Sequence, residues 1–193
     1  MTTSICVFCG SQYGSDPRYR TAASQLGQLA GAAKLDVIYG GGHVGLMGAV
    51  ADAAIAAGGR VIGLIPERLL EREVGHRAIS ELIVTRDMFD RKAQMISRSD
   101  AFVILPGGLG TLDELLEVVT LRQLGYHDKP IILVNLGGYW DPLIALVDRV
   151  VEHNFAAPNA RTLYRIVDSI EEVLPALGVE KPASAPLRVA QGD

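Results

Sequence analysis

Cysteine is nearly absent: Cys6 and Cys9 are the only two in 193 residues. Two thiols cannot build a disulfide framework, and no second pair exists to complete a metal site. They stand as Cys-x-x-Cys in a segment that reads as a strand, where residues three apart point to opposite faces. Buried, reduced thiols are therefore expected, without a redox or zinc role. Long apolar runs are missing too, and none approaches the ~18 residues of a membrane span. Basic charge is in deficit, with 18 Lys and Arg against 22 Asp and Glu and a net charge of −4. That excludes broad affinity for nucleic acid, which needs a basic footprint. His43, His76, His127 and His153 are scattered with no His-x-x-x-His pair, so no metal is expected. The opening residues, MTTSICVFCG, have no basic stretch before an apolar core. A secretory signal is not expected, and a cytoplasmic protein is.

What is present is an ordinary soluble composition, 49% hydrophobic and 21% charged, enough for one domain with a large core. Short β-branched apolar runs at 4–9, 36–39, 60–65, 81–85, 101–105, 130–135 and 163–167 predict strands. Most are continuously apolar, as in strands buried on both faces. Longer Ala/Leu-rich segments at 18–34, 45–57, 88–98, 111–124, 141–154 and 169–177 predict helices. In 111–124, Leu112, Leu115, Leu116 and Val119 fall on one stripe expected to be buried. The alternation predicts a Rossmann-like α/β domain over residues 1–180, with a doubly wound, mostly parallel sheet and helices on both faces. Residues 181–193, rich in Pro, Ala and Ser without periodicity, read as a disordered tail.

In such sheets ligands bind beyond the carboxyl ends of the strands, so the loops after strands carry the chemistry. Gly10 and Ser11 follow the first strand, and a tight turn explains them as readily as a ligand contact. Gly40, Gly42 and Gly45 spell G-x-G-x-x-G between a strand and a helix, with Gly41 between the first two. The pattern suits an anion at a helix N-terminus or simply a tight turn. It also suggests a dinucleotide-binding oxidoreductase with Glu67 as ribose-binding acid, except that the motif follows the second strand and not the first. Arg91 and Lys92 lie in the first half of a helix, as a phosphate-binding pair or a solvated basic face. The fourth loop, Pro106–Glu114, places Gly107, Gly108 and Gly110 just before Thr111. It is no Walker A loop, because no Gly-Lys-Ser/Thr follows. Thr111-x-x-Glu114 fits a capping box, which accounts for both polar residues without a substrate but not for three preceding glycines. Two phosphate-type loops in one small domain suggest a nucleoside monophosphate or a sugar phosphate.

The fourth loop, PGGLGTLDE, fits the PGGxGTxxE signature, and here the sequence resembles the LONELY GUY family of cytokinin riboside 5′-monophosphate phosphoribohydrolases, often mislabelled lysine decarboxylases. FCGS, YGGGHVGLMG, DMFDRK, the long segment around PGGLGTLDE and GYWDPL resemble the family in order, from residue 4 to about 155. The resemblance implies a Rossmann-like homodimer with its active site near the subunit interface. It implies hydrolysis of a cytokinin nucleotide, and of AMP, to free base and ribose 5-phosphate, with no cofactor. By position, Arg91 and Glu114 match the catalytic pair. Lys92, Gly108, Leu109, Gly110, Thr111 and Thr120 match substrate contacts, Glu73 matches a binding acid, and the glycines at 40–42 and 45 match the phosphate side. Gly10, Ser11, Gly107, Leu112 and Asp113 complete the candidate binding set. The segment around Glu73 is only loosely family-like.

Cleaving an N-glycosidic bond builds positive charge on the ribose, which a carboxylate stabilises electrostatically or through a covalent intermediate. Glu114 is placed for that role in the first turn after the loop. Arg91 is placed to orient phosphate or leaving group, since a guanidinium is a poor proton donor. Glu117 reads as an exposed helical acid or as a second carboxylate. Asp113 is expected to point away and complement the helix dipole. A Schiff-base decarboxylase finds no support around Lys92, the one lysine near the site. Beside hydrolysis stands a carrier that binds a nucleotide or the molybdenum cofactor without reaction, because relatives of that kind share PGGxGTxxE.

Overall fold

The short apolar runs all pair into one sheet in this computed structural model, which describes residues 2–70 and 75–180. Glu73 and the segment 181–193 lie outside the described residues. The strands are β1 (Ser4–Phe8), β2 (Asp36–Tyr39), β3 (Val61–Pro66), β4 (Glu81–Thr85), β5 (Ala101–Ile104), β6 (Ile131–Val134) and β7 (Arg165–Val167). They run parallel in the order β4-β3-β2-β1-β5-β6-β7. Between them lie α1 (Pro17–Ala32), α2 (Gly45–Ala56), α3 (Glu67–Leu70), α4 (Met88–Arg98), α5 (Leu109–Gln123), α6 (Asp141–Glu152) and α7 (Val173–Ala176). The Rossmann-like architecture is thus as the apolar pattern predicts. No helix among the described residues is long and apolar enough to cross a membrane.

Every residue of β1, β3, β5 and β6 is buried, which is why these runs show no polar alternation. Side chains still alternate between the faces. Ile5, Val7, Cys9, Val103 and Leu105 join the core on one side. Cys6, Phe8, Phe102 and Ile104 join the core on the other. The two thiols therefore sit in separate cores, free and buried, as their spacing requires. Burial pushes both thiols up in pKa, and the negative charge of Glu114 adds to it.

Three expectations change. The helix read at 169–177 is a 3-10 turn, Ile170–Glu172, followed by the short α7. Helix α3, described over Glu67–Leu70, is not among the helices the sequence predicts. On α5, Leu115 and Val118 are the buried apolar residues, whereas Leu116 is 48% exposed. The helix packs on the sheet through a narrower stripe, and Leu116 falls on its outer edge.

The order of strands decides where a ligand can go. The chain winds from β1 outward through β2, β3 and β4, then returns to place β5 on the other side of β1. This reversal opens a crevice at the carboxyl ends of β1 and β5. Phe8 is level with Ile104 in the pairing, so the loops after the two strands leave the sheet side by side.

Candidate active site

A cavity of about 240 Å³ lies over that crevice. Its walls come from Phe8 to Ser11 after β1, Gly40 and Met47 around the β2–α2 loop, Leu69 of α3, Met88 and Arg91 of α4, and Gly108–Thr111, Asp113 and Glu114 of α5. A second hollow of about 250 Å³ shares Gly10, Ser11 and Gly108 with it and adds Tyr13, Tyr19 and Tyr139. Together they reach the ~300–1,000 Å³ scale of small-ligand sites.

The loops are knitted through the backbone. Gly10 N–H donates to the Pro106 carbonyl at 3.1 Å, and the Gly10 carbonyl accepts from Leu46 N–H at 3.0 Å. Gly45 has φ +66°, and a Cβ there would lie 2.3 Å from the carbonyl carbon of Ser11. Gly42 bridges Gly75, and the Gly41 carbonyl accepts from His76 N–H at 2.9 Å. Gly41, Gly42 and Gly45 therefore serve the turn and do not line the main cavity. Gly40 makes room for Arg91, whose Nη2 would lie 2.0 Å from a Cβ at that position.

The glycines before α5 divide into two kinds. A Cβ on Gly107 would lie 2.1 Å from the Thr111 hydroxyl, so folding itself demands this glycine. Cβ atoms on Gly108 and Gly110 would meet nothing within 4 Å, and neither residue has a positive φ. Both face the cavity. The fold leaves them open, and a ligand in close contact with the backbone accounts for their lack of a side chain.

The start of α5 is open in a second sense. The side chain of Asp16 caps α1 by accepting from Arg18 N–H at 2.9 Å. Asp87 caps α4 in the same manner, accepting from Asp90 N–H at 2.8 Å. Helix α5 begins at Leu109 behind Gly108 and has no side-chain cap. The capping box expected from Thr111 and Glu114 is absent because the helix begins two residues before Thr111. Thr111 and Glu114 are instead buried within the helix, 3% and 8% exposed. The first-turn N–H groups have no partner within the helix and carry its positive dipole end. An uncapped helix terminus facing a cavity suits an anion.

Glu114 and Arg91 line that cavity from two helices. Arg91 is 5% exposed. Its Nη2 donates to the Gly40 carbonyl at 3.2 Å and its Nη1 contacts the Met88 sulfur at 3.7 Å. Its buried Nε has no hydrogen-bond partner. Arg91 is not on a solvated basic face and Glu114 is not in a capping box.

Lys92 behaves differently from its neighbour. Its ammonium is 2.9 Å from Asp113 Oδ2 and 2.9 Å from Glu117 Oε2. Burial lowers its pKa, but the two acids outweigh that and hold the pKa above the ordinary lysine value. Among the described residues, Lys92 is not part of the cavity wall, so it ties α4 to α5 one residue from Arg91 and one from Glu114. Glu117 and Asp113 are its counter-ions, and Asp113 turns toward α4 where the sequence suggested it points away. Leu112 packs in the core below the helix. Thr120 lies eleven residues past the start of α5, ~16 Å along its axis, exposed and away from the cavity.

Nothing in the sequence marked Met47, Met88, Phe8 or Leu69 as cavity walls, since apolar residues there read as core. It also missed the meeting of His43 and His76, which the fold brings to 4.1 Å between ring centroids beside Asp52. These histidines are far apart in sequence and meet where the residue-75 segment pairs with the β2–α2 loop.

A parallel α/β domain with an open anion site and a buried Glu–Arg pair at its switch point is a nucleotide- or sugar-phosphate-handling protein. Comparison with known proteins narrows the class. Residues 47–177 match the family model "Possible lysine decarboxylase". The probable cytokinin riboside 5′-monophosphate phosphoribohydrolase LOGL2 of Oryza sativa subsp. japonica is 45% identical over 178 residues, covering 92% of this chain and 73% of that protein. The cytokinin riboside 5′-monophosphate phosphoribohydrolase LOG3 of Arabidopsis thaliana is 46% identical over 178 residues, covering 89% and 83%. This chain belongs to the cytokinin riboside 5′-monophosphate phosphoribohydrolase family. The fold is shared more widely. The molybdenum cofactor binding protein of Rippkaea orientalis superposes with a TM-score of 0.69 at 25% identity, over 92% of this chain and 97% of that one.

The Lys92 tie yields a prediction. Lys92→Met should cost about 1–2 kcal/mol in urea unfolding, modest because Asp113 is solvent-screened. Affinity for ribose 5-phosphate should fall less than about tenfold, or 1.4 kcal/mol. Complete loss of binding at unchanged stability would make Lys92 a ligand contact.

Proposed function

We propose that this protein hydrolyses the N-glycosidic bond of cytokinin riboside 5′-monophosphates, and of AMP, with water, giving free base and ribose 5-phosphate. The observation that carries the reading is the open N-terminus of α5 sharing one cavity with Glu114. A phosphate held by the backbone of Gly108–Thr111 places its ribose beside a carboxylate one turn further along the same helix. Glu114 then stabilises the positive charge that develops as the base departs. Arg91, fixed against Gly40, orients the phosphate or the departing base. Gly10, Ser11 and Gly40 complete the wall. The chemistry requires no cofactor, and reduced thiols suit a cytoplasmic enzyme. A carrier that binds the molybdenum cofactor has the same fold, but the curated relatives at 45–46% identity are named phosphoribohydrolases.

We also infer a homodimer. Leu109, Leu116 and Leu124 on α5 and Phe89 on α4 are 85%, 48%, 65% and 79% exposed, an apolar band beside the cavity mouth. Thr120 lies in this band, so its family role in substrate contact fits only a second copy packed across it. Static light scattering at micromolar concentration should give twice the chain mass, and a monomer would refute the dimer.

The activity is tested by incubating the protein with AMP or isopentenyladenosine monophosphate and separating free base by chromatography. Base release is expected. Tight binding with no product would favour a carrier. Glu114→Gln keeps the shape and removes the charge, so turnover should fall roughly a hundredfold or more with the melting temperature nearly unchanged. Release of base at the parental rate by this variant would remove Glu114 from the chemistry.

A further inference from the structure

On the far side of the β2–α2 loop from the cavity wall, three ligand-type side chains from three separate segments converge. His43 belongs to the loop, Asp52 to α2, and His76 to the segment after the Gly42–Gly75 bridge. His76 Nε2 is 2.9 Å from Asp52 Oδ1, and His43 Nε2 is 3.7 Å from Asp52 Oδ2. All three donor atoms lie within 4.8 Å of one another. We propose that His43, Asp52 and His76 form a binding site for one divalent transition-metal ion, with zinc the best match. The proposal is independent of the hydrolase reading.

The donor set and its spacing carry the argument. Two imidazoles and one carboxylate are the ligands of open zinc sites. Donors ~2.05 Å from a tetrahedral ion stand ~3.3 Å apart; each imidazole lies near that distance from one Asp52 oxygen, 2.9 Å to Oδ1 and 3.7 Å to Oδ2, and the donors, all within 4.8 Å of one another, draw in by about an ångström or less onto a single ion. His76 is already positioned: its side chain is 3% exposed and its backbone N–H is held by Gly41. His43 and Asp52 are 49% and 59% exposed along their side chains, which leaves an entry path and room for a water as fourth ligand. One cost is visible. His76 Nδ1 accepts a long hydrogen bond from Ala78 N–H at 3.3 Å, so Nε2 carries the ring proton while the site is empty. Binding an ion moves that proton to Nδ1 and gives up the contact, so the affinity is lower than that of a closed four-ligand site. An ion here ties α2 and the residue-76 segment to the loop that also presents Gly40 to Arg91.

The test uses untagged, chelator-stripped full-length protein titrated with Zn²⁺ alone by calorimetry, and with Co²⁺ for its visible absorption bands. The expected result is one ion per chain and Co²⁺ bands of a four- or five-coordinate site. Loss of a supporting second-shell group already costs about 10–100-fold in metal affinity, so His43→Gln and Asp52→Asn should each lose at least that much. Both positions are exposed and should fold, whereas His76→Ala removes a buried ring. No saturable binding at millimolar Zn²⁺, or equal binding by the parent and both variants, overturns the proposal and leaves the trio as a hydrogen-bonded clamp.

Discussion

Gly10 joins the three loops on which the site depends. Its N–H reaches the loop after β5 and its carbonyl reaches the start of α2. A Cβ there would lie 3.3 Å from Gly107 Cα, so the loops after β1 and β5 approach this closely only with glycine at both positions. That closeness is a consequence of strand order. Placing β5 beside β1 brings the two loop ends level, and backbone hydrogen bonds between them convert adjacency into a fixed wall.

The proposed chemistry rests on an N-terminus that, like those of α2 and α6, has no side-chain cap but opens into the cavity. Helices α1 and α4 spend an aspartate at their N-termini, which satisfies the orphan N–H groups and neutralises the dipole. Helix α5 spends none and begins in the cavity with two glycines that the fold does not require. The bare terminus lies beside a buried carboxylate and a buried guanidinium, the arrangement the proposed reading uses to hold a phosphate. The Lys92 ion pairs fix α4 against α5 where Arg91 and Glu114 leave those helices.

All seven strands and the long helices were legible because each carries its own period or apolar run over many residues. The broken C-terminal helix was not, since its regular part is too short to register one, and no period marked α3. Within the site, the fold brings Gly108, Gly110, Arg91 and Glu114, each singled out by its local sequence, to one cavity. Residues whose meaning depends on a distant partner were not legible in this way. Lys92 read as a phosphate ligand or a solvated basic residue, and its ion pairs with Asp113 and Glu117 fit neither local pattern. Thr111 and Glu114 looked like a capping box because the start of a helix at Leu109 cannot be fixed when the preceding residues are glycines. His43 and His76 looked unrelated because only tertiary pairing brings them together. Gly41, Gly42 and Gly45 matched an anion-binding pattern whose glycines serve the turn itself.

The central claim is that α5 is left uncapped to hold a phosphate. It is tested most directly by giving α5 the cap that α1 and α4 already have. Gly108 has extended backbone with φ −91° and ψ −157°, and space around it, so Gly108→Asp is sterically allowed. Calorimetric titration of the variant with ribose 5-phosphate, alongside its melting temperature, is the measurement. The account predicts a melting temperature equal to or above the parent's, because a carboxylate cap is worth ~1 kcal/mol, and affinity lower by at least about tenfold, or 1.4 kcal/mol. Unchanged affinity for ribose 5-phosphate in a stably folded Gly108→Asp protein would contradict it.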